Sequence, residues 1–228
     1  MGDSHIKIQP TTSMIVKHPN GIFCIPDESA HRFAAKKIIA GKAWEPKTLA
    51  LMAKEAAKGD VIHGGTFFGD ALPTLSKACK GTVWAFEPNP SNFAAASKTI
   101  SLNKLSNVRL TNAAMSDHTG IMEMRTRDNK GTAMGGGSKL LRASKGDERV
   151  NLIRLDDTVK TSRLSLLHLD VELHEAWALG GAFGLIETHL PLIILETPPL
   201  KSEAWAKLKR LGYRVTATFE ENTILKVR

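Results

Sequence analysis

The spacing of apolar residues along the chain changes near residue 60. Before this point, residues 5–26 hold short apolar runs on both sides of a Pro-Asn-Gly turn, which predict a small β element. Residues 29–41 and 46–58 have the composition of two helices. After it, short apolar runs alternate with helical segments as far as the C-terminus. We therefore predict two parts, an N-terminal cap of residues 1–58 and a main domain of alternating strands and helices over residues 59–228.

Alternation of strands and helices is the main pattern of the second part. Apolar runs predict the strands DVIHG, GTVWAFEP, VRLTNAAM, LSLLHLDV and PLIILET. The segments between and after them include the predicted helices GDALPTLSKAC, SNFAAASKTISLN, HEAWALGGAFGLIETHL and SEAWAKLKRLG. YRVTATFEENTILKVR predicts two more strands as an antiparallel hairpin. Such a chain is expected to form an α/β fold, a mostly parallel seven-stranded sheet with right-handed crossovers and helices on both faces.

Residues 128–149 break this alternation. They are rich in Gly, Lys, Arg and Asp and poor in large apolar side chains, which predicts a mobile loop instead of a core element. The preceding run GIMEMRTR predicts an additional edge strand. Two interpretations of the loop stay open, a lid over a bound acceptor and a disordered surface segment.

Composition and charge narrow the class of protein. The 228 residues are 42% apolar and 24% charged, which is typical of a soluble globular chain. The net charge of +8 favours anionic partners, but the basic residues are scattered and one Tyr is present, so a nucleic-acid substrate is disfavoured. Cys24 and Cys79 lack metal-ligand spacing, which indicates buried thiols in a reducing compartment. The sequence shows no apolar run of membrane-spanning length and no signal-type segment, so we expect a cytoplasmic protein, with its oligomeric state left open.

Three loops with ligand-binding character follow successive predicted strands. The first contains Gly64 and Gly65, whose missing Cβ atoms permit a sharp turn and the close approach of a ligand. The second begins at Glu87, roughly 20 residues further on, where a carboxylate can accept hydrogen bonds from both ribose hydroxyls. The third contains Ala113 and Ala114, which leave space for a flat ring. Because the carboxyl ends of parallel strands share one edge of the sheet, these loops together predict a nucleoside site.

The signals of phosphate binding are missing from the glycine turn. It is neither G-x-G-x-x-G nor a P-loop with its Lys-Ser/Thr pair. A nucleoside without phosphates fits better, and S-adenosylmethionine is the obvious candidate. Its sulfonium cation suits acidic and aromatic neighbours, which Asp170, Glu172 and Phe68 supply.

Two longer stretches of sequence resemble a known enzyme family. VWAFEPNPSNFAAASKTISLN followed by VRLTNAAMSDHTG, and HLDVELHEAWALGGA followed by PLIILE, are similar to the FkbM-type family of S-adenosylmethionine-dependent methyltransferases. The similarity covers roughly residues 40–200. It implies a Rossmann-like class I methyltransferase fold and transfer of a methyl group to oxygen or nitrogen of a small-molecule, sugar or peptide acceptor.

The resemblance also implies which residues form the site. Glu87 would bind the ribose, the turn from Gly64 to Phe68 would pass beside the methionine part, and Asp170 would lie at the methyl-transfer centre. The cofactor-binding residues implied in this way are Glu45, His63, Gly64, Gly65, Thr66, Phe68, Glu87, Pro88, Asn89, Asn112, Ala113, Ala114, Asp117 and Asp170.

Two positions depart from the family pattern. His63 stands where the family carries Asp, and Leu173-His174 replaces a Gly-Ala pair after the fourth main-domain strand. The cofactor's ammonium group therefore needs another partner, for which Glu45 is the first candidate. His63 itself has two interpretations, a hydrogen bond near the cofactor's carboxylate or a packed histidine satisfied by backbone groups. His174 is expected on the surface of a helix.

Methyl transfer requires alignment of the acceptor and, for a hydroxyl or amide, a base that removes its proton. Asp170 and Glu172 are the predicted catalytic residues because they stand at the end of a strand, ahead of His168 on the same face. For Asp170, an N-cap of the next helix is the structural alternative. The alternating His, Asp, Glu and His residues also resemble a metal-ligand pattern. Alternating residues on one strand rarely close a metal site unaided, so no metal is predicted.

Two other functions stay open. The departures at His63 and Leu173-His174 are compatible with a methyltransferase-like binding or scaffold protein that has lost its chemistry. An NAD-dependent oxidoreductase would share the fold class and the acidic ribose ligand, but the lack of G-x-G-x-x-G weakens this alternative.

Overall fold

The computed structural model describes residues 12–227 of the chain, so residues 5–11 of the predicted β element lie outside the described residues. The strands are, in chain order, β1 (Ser13–His18), β2 (Gly21–Pro26), β3 (Asp60–Gly64), β4 (Val83–Phe86), β5 (Val108–Thr111), β6 (Ala114–Met115), β7 (Gly120–Arg125), β8 (Lys139–Leu141), β9 (Glu148–Ile153), β10 (Leu164–Leu169), β11 (Leu192–Leu195), β12 (Tyr213–Phe219) and β13 (Asn222–Val227). The helices are α1 (Phe33–Ile39), α2 (Pro46–Ala56), α3 (Leu72–Ala78), α4 (Pro90–Asn103), α5 (Leu155–Thr158), α6 (Glu175–Gly180), α7 (Phe183–His189) and α8 (Glu203–Arg210). Across residues 12–227, no helix has both the length and the hydropathy that crossing a membrane requires.

Seven strands form the main sheet in the order β12-β13-β11-β10-β3-β4-β5. The strands from β5 to β11 in this order run parallel, and β13 and β12 form an antiparallel hairpin at the far edge. This topology confirms the predicted Rossmann-like class I methyltransferase fold. The chain winds outward from β3 to β5 and then returns to β10, so the topological switch point lies between β3 and β10. Ligands of open α/β sheets bind outside the carboxyl ends of the strands at such a point.

Helices cover both faces of the sheet, as predicted. Ile62 and Leu167 pack with residues of α6, α7 and α8 on one face. Val61 and Leu166, their neighbours in sequence, pack with residues of α2 and α3 on the other face. Successive strand residues point to opposite faces, so consecutive apolar residues are what a doubly covered sheet requires. Burial of this apolar surface stabilises the fold by about 25 cal/mol per Å² and thereby holds the strand ends in place.

The hairpin of β1 and β2 is joined to the main sheet by an apolar cluster. Phe23 packs with Phe68 and with Ala95 of α4. The Asn103 side chain of α4 accepts a hydrogen bond from the N–H of Ile22 at 2.8 Å and donates one to its carbonyl at 2.6 Å. The N-terminal segment thus shares a core with α4 and with the turn after β3. The division at residue 58 stays a prediction.

A second sheet has the order β6-β9-β7-β8. The run VRLTNAAM, predicted as one strand, forms β5 and then leaves the main sheet, because Ala114 and Met115 pair with β9. The turn between the two strands is held by Asn112, whose side chain donates to the carbonyls of Glu87 and Pro88 at 2.8 and 3.1 Å. GIMEMRTR forms β7 inside this second sheet and not at an edge of the main one.

The prediction that residues 128–149 form a loop without core elements is wrong. They contain a 3₁₀ turn at Gly135–Gly137, strand β8 and the start of β9, and they bury Ser138. Hydrogen bonds take the place of large apolar contacts. Asn92 donates to the carbonyl of the first glycine of the turn at 3.1 Å, and Asn89 donates to the Ser138 hydroxyl at 2.9 Å. Small residues allow this close approach, which polar composition alone does not reveal.

The run HEAWALGGAFGLIETHL, predicted as one helix, forms the two helices α6 and α7. Gly181 lies between them, and a Cβ at this position would collide with the carbonyl oxygen of Ser116. The chain therefore bends where it passes close to another backbone. The two predicted buried thiols, Cys24 and Cys79, are buried and free.

Candidate functional site

Two cavities meet at the carboxyl ends of β3 and β10. The first extends from this point towards β4, β6 and the second sheet. The second lies between β3, β10 and α2. Gly65 and Asp170 line both cavities and therefore mark their junction. The junction coincides with the topological switch point of the main sheet.

The glycine turn after β3 forms the floor of the junction. Gly65 has a φ of +78°, and a Cβ there would collide with the backbone of Asp170. At Gly64, the side chain of Met115 occupies the space that a Cβ would need. Glycine at both positions allows this close packing. Gly65 lines both cavities, whereas Gly64 lines neither, so a contact between Gly64 and the cofactor stays a prediction.

Thr66 and Phe68 were predicted to contact the cofactor, but they lie outside both cavities. The Thr66 hydroxyl donates to the carbonyl of Phe86 at 3.2 Å, which ties the turn to the end of β4. Phe68 is buried against Phe23, with their ring centroids 6.1 Å apart. Both side chains therefore support the turn from behind, and a contact of either residue with the cofactor stays a prediction.

Glu87 follows β4 and lines the first cavity. Its carboxylate accepts hydrogen bonds from the backbone N–H groups of Phe67 at 2.7 Å and Asn89 at 2.9 Å. Burial raises the pKa of Glu87 to about 7, against the opposing effect of these donors. Hydroxyl groups of a ligand would add donors and favour the ionised carboxylate.

The part of the first cavity next to Glu87 is mainly apolar. Pro88, Ala113 and Ala114 line it, together with Met115 at the end of β6. Side chains of the second sheet and its turn that also line it, and that the sequence did not predict, are Met124, Ser138 and Leu140. The small alanines on one side and the longer apolar side chains on the other leave a slot suited to a flat ring.

Three other residues predicted to border the ligand lie outside this slot. Asn89 is the N-cap of α4, where its side chain accepts from two backbone N–H groups of that helix. The Asn112 amide is occupied by the carbonyls of Glu87 and the following proline. Asp117 is half exposed, with a carboxylate oxygen 2.7 Å from Nδ1 of His118. Asn89 and Asn112 thus bind backbone groups and Asp117 faces solvent, and their contact with the cofactor stays a prediction.

Asp170 stands at the junction beside two other carboxylates. Oxygen atoms of Asp170, Glu172 and Glu196 lie within 4.8 Å of one another. Burial and the neighbouring Glu196 carboxylate raise the pKa of Asp170 well above its usual range, and burial also raises the pKa of Glu172. Lys139 Nζ is 3.6 Å from a Glu172 oxygen. Glu196 was not predicted, although it follows β11 and the strand-end rule applies to it.

The N-cap alternative for Asp170 is wrong, because His174 occupies the N-cap position of α6. His174 is also not a surface residue. It is 4% exposed, lines the first cavity and stacks on Trp177 with ring centroids 4.8 Å apart. Glu175 is buried as well, and it accepts a hydrogen bond from the N–H of Val171 at 3.4 Å.

Acidic and imidazole side chains line the second cavity. Glu45, which the sequence predicted, lies there with Asp70, which it did not. Burial raises the pKa of Glu45 to about 7 and that of Asp70 to about 6. Asn222 at the start of β13 donates to a Glu45 oxygen at 2.6 Å. A cation entering this cavity would favour the ionised form of both carboxylates.

His63 and His168 face each other across β3 and β10. Their Nδ1 atoms are 2.8 Å apart, and their rings stack with centroids separated by 5.0 Å. Burial lowers the pKa of both, that of His168 to about 4, so both imidazoles are neutral at pH 7. His63 is therefore a packed histidine, but its partner is a second imidazole instead of the backbone.

These features define the kind of ligand that the site can hold. One end offers an apolar slot with a carboxylate for hydroxyl groups, and the other offers several acids with raised pKa values. An elongated ligand with a nucleoside at one end and positive charge at the other matches this order of groups.

Comparison with known proteins gives one family. Residues 63–215 match the family described as the methyltransferase FkbM domain. Among curated protein sequences, no significant match to the chain is found.

Several solved structures share the fold. The methyltransferase FkbM from Methylobacillus flagellatus KT is 17% identical over 73% of this chain and 42% of its own, with a TM-score of 0.46. A SAM dependent methyltransferase from Aquifex aeolicus is 15% identical over 80% and 88% of the two chains, with a TM-score of 0.41. The Pyrococcus abyssi tRNA (uracil-54, C5)-methyltransferase, solved with S-adenosyl-L-homocysteine, is 9% identical over 94% and 42%, with a TM-score of 0.48. The chain spans less than half of the length of the first and third of these proteins.

Proposed function

Because the chain belongs to the FkbM family of methyltransferases, we propose that it moves a methyl group from S-adenosylmethionine to an oxygen or nitrogen atom of its acceptor. The observation that carries this proposal is the junction at Asp170. There an apolar slot next to Glu87 meets a second cavity lined by the acids Glu45 and Asp70. Adenine, ribose, sulfonium and ammonium follow one another in the cofactor in the same order as these surroundings.

The residues of the first cavity fit the nucleoside half of this cofactor. Ala113, Ala114 and Met115 would hold the adenine, and Glu87 would accept from the ribose hydroxyls. Gly65 would leave room for the chain beyond the ribose. The bound cofactor supplies a methyl group on a sulfonium sulfur, an electrophilic carbon open to in-line attack.

The second cavity fits the amino-acid half. Glu45 and Asp70 have raised pKa values because they are buried, and an ammonium group would bring both back to the ionised form. The hydrogen bond from Asn222 orients the Glu45 carboxylate before a ligand binds. Glu45 would then supply the negative charge that the neutral His63 cannot.

Asp170 and Glu172 are our candidates for the catalytic base. The Lys139 ammonium favours ionised Glu172, so we assign to Glu172 the removal of a proton from the acceptor's hydroxyl or amide. Asp170 and Glu196 would be the neighbouring carboxylates of this base, with oxygen atoms within 4.8 Å of it. The remaining contribution of the chain is alignment, since holding the nucleophile in line with the methyl carbon lowers the barrier by several kcal/mol.

The acceptor would approach beside Glu172 and the Gly135–Gly137 turn. We propose a small-molecule, sugar or peptide acceptor that the side chains around this opening, including the exposed Leu173, contact directly. The lid role of residues 128–149 stays part of this proposal, with the turn as its inner edge.

Calorimetry with S-adenosylmethionine and S-adenosylhomocysteine tests the cofactor, with NADH as the control for an oxidoreductase. We expect both adenosyl ligands to bind and NADH not to bind. Folded protein that binds neither adenosyl ligand would contradict the proposal. Transfer of a labelled methyl group to components of a cell extract is the second step, and tight cofactor binding without any transfer would favour the non-catalytic scaffold.

A further inference from the structure

Arg32 is a basic side chain at the proposed acceptor opening that has no acidic partner. It immediately precedes α1, where its backbone N–H donates to the carbonyl of Ser29 at 3.0 Å and its carbonyl accepts from the N–H of Lys36 at 2.9 Å. These bonds fix the point from which the side chain extends. Across residues 12–227, the Arg32 guanidinium takes part in no ion pair and no hydrogen bond.

The Gly135–Gly137 turn allows the Arg32 side chain to lie against it. A Cβ at Gly135 would come within 3.0 Å of Cγ of Arg32 and of Cζ of Phe67, so the turn is packed between these two side chains. A Cβ at Gly137 would lie 2.7 Å from Nη2 of Arg32. The missing side chains of these two glycines therefore give the guanidinium its place.

The last glycine of the turn also brings Arg32 next to the proposed base. A Cβ at Gly137 would lie 3.5 Å from Oε1 of Glu172, so the guanidinium and this carboxylate lie beside the same residue. Burial raises the pKa of Glu172, and the positive charge of Arg32 opposes this shift. Glu172 and Gly136 both line the first cavity. Arg32 therefore stands at the rim of the space in which the acceptor would meet the methyl donor.

Two basic side chains of the segment that follows β7 already have acidic partners, unlike Arg32. Lys139 Nζ lies 3.6 Å from Oε2 of Glu172, and Arg127 forms an ion pair with Glu28. Arg32 is half-buried, but none of its nitrogens is among the fully buried polar atoms without a partner, so a ligand can reach them. A guanidinium presents its N–H groups as a planar fork that matches two oxygens of a carboxylate or phosphate. An anionic group of the acceptor is the ligand that suits this position.

We propose that Arg32 binds a carboxylate or phosphate group of the acceptor, and that it restricts the enzyme to acceptors with such a group a few bonds from the atom that receives the methyl group. This inference rests on the proposed function and names the class of its substrate. Arg32 holds the anionic group while Glu172, beside the same glycine, takes the proton from the nucleophile. The bond from this nucleophile to the methyl carbon forms as the carbon–sulfur bond breaks, and S-adenosylhomocysteine leaves.

Anion binding can be measured in the ligand-free protein labelled with ¹⁵N-arginine. Acetate and inorganic phosphate should each move the Nε–H signal of Arg32, identified by its loss in Arg32→Lys, and chloride at the same ionic strength should not. The anion that causes the larger shift identifies the preferred group. Arg214, exposed on β12 at the far edge of the main sheet, is the matched control. No shift at Arg32, or an equal shift at Arg214, would overturn the proposal.

Methyl transfer provides the second readout. Labelled S-adenosylmethionine would be incubated with matched pairs of acceptors, hydroxy acids and amino acids beside their amides, and sugar phosphates beside the free sugars. Loss of a hydrogen bond to a charged group costs about tenfold or more. We therefore expect the wild-type protein to methylate the acidic member of a pair at least about tenfold faster, and Arg32→Met to lose most of this preference.

Arg32→Met should leave the affinity for S-adenosylhomocysteine nearly unchanged, because Arg32 lines neither cavity, and Arg214→Met should keep the preference for acidic acceptors. Neutral acceptors methylated as fast as acidic ones, or a preference that survives in Arg32→Met, would overturn the inference and leave the proposed function intact. Wild-type protein that binds no S-adenosylhomocysteine would instead contradict the proposed function. In that case, or with transfer to no member of the panel, the anion titration still decides whether Arg32 binds an acid group.

Discussion

The α-carbon of Gly65 lies against the carbonyl group of Asp170, so close that any Cβ at position 65 would collide with it. The two residues belong to neighbouring strand ends that are about 100 residues apart in the sequence. Their contact sets the width of the junction through which the two cavities communicate.

Replacing Gly65 by Ala should therefore damage both stability and binding. Alanine at position 65 would be held at a φ of +78°, and its methyl group would also collide with Asp170. We expect these two effects to lower the free energy of unfolding by about 2–4 kcal/mol. Gly131→Ala is the matched control, since Gly131 has a φ of +80° but meets no described atom within 4 Å at a Cβ. It should cost only about 1 kcal/mol. Denaturant unfolding of the two variants measures the difference, and equal costs would contradict the role of the contact.

Glu87→Ala should weaken cofactor binding at least about tenfold, because two ribose hydroxyls would lose a charged acceptor. Glu175→Gln is the control, since Glu175 is also a buried acid with a raised pKa of about 7 but lies outside both cavities. Calorimetry with S-adenosylhomocysteine compares the two. Unchanged affinity in Glu87→Ala would remove Glu87 from the ribose role.

Glu172→Gln should lower the rate of methyl transfer about a hundredfold or more while S-adenosylhomocysteine still binds, because it removes a base and keeps the shape of the side chain. Asp170→Asn should impair both binding and rate, since Asp170 lines both cavities. Single-turnover rates and calorimetry separate the two effects. A rate that Glu172→Gln leaves unchanged would place the base elsewhere.

The stability of the ligand-free protein should rise as the pH falls from 8 to 6.5. The pKa values of Glu45, Glu87 and Glu175 are about 7 in the folded protein, above their usual value of 4.5, so the folded state binds more protons in this range. The stability gained from protonation of these carboxyl groups is therefore fully present at low pH and is lost as the pH rises through 7. We expect a melting temperature about 3 °C or more higher at pH 6.5 than at pH 8.

Below pH 6.5, the increase in stability with falling pH should become smaller. His63, His168 and His174 have pKa values lowered by burial, so the unfolded chain binds protons that the folded protein does not. Saturating S-adenosylhomocysteine should reduce the rise between pH 8 and 6.5, because its ammonium group would hold Glu45 ionised in the folded state. Scanning calorimetry at several pH values tests both points, and a melting temperature that increases from pH 6.5 to 8 would contradict them.

The edge of the sheet that carries the site could be predicted from the sequence. Runs of buried residues identify parallel strands, and the residues that follow them must meet, which is why Gly65, Glu87, Ala113 and Asp170 all line the cavities. The direction of individual side chains could not be predicted. Thr66, Phe68 and Asn112 stand in the right loops, but the direction of each side chain is decided by hydrogen bonds and packing that local sequence does not specify.

Contacts from distant parts of the chain were also beyond prediction. Asn222 reaches Glu45 from a strand that begins near the C-terminus, and no motif marks it. The polar stretch around Ser138 was interpreted as a loop because its composition lacks large apolar residues. Its order comes instead from side-chain amides of α4, which only the folded structure brings into reach.

The position of the segment around Ser138 determines which parts of the protein can change independently of the main sheet. It covers the nucleoside slot and the acceptor opening, yet it is inserted between strands of the smaller sheet and is held to α4 through the amides of Asn89 and Asn92. Mutation, lengthening or shortening of its outer part leaves the seven-stranded scaffold untouched. Under the proposed function, the residues that contact the acceptor could therefore change in evolution while the site for the methyl donor is inherited.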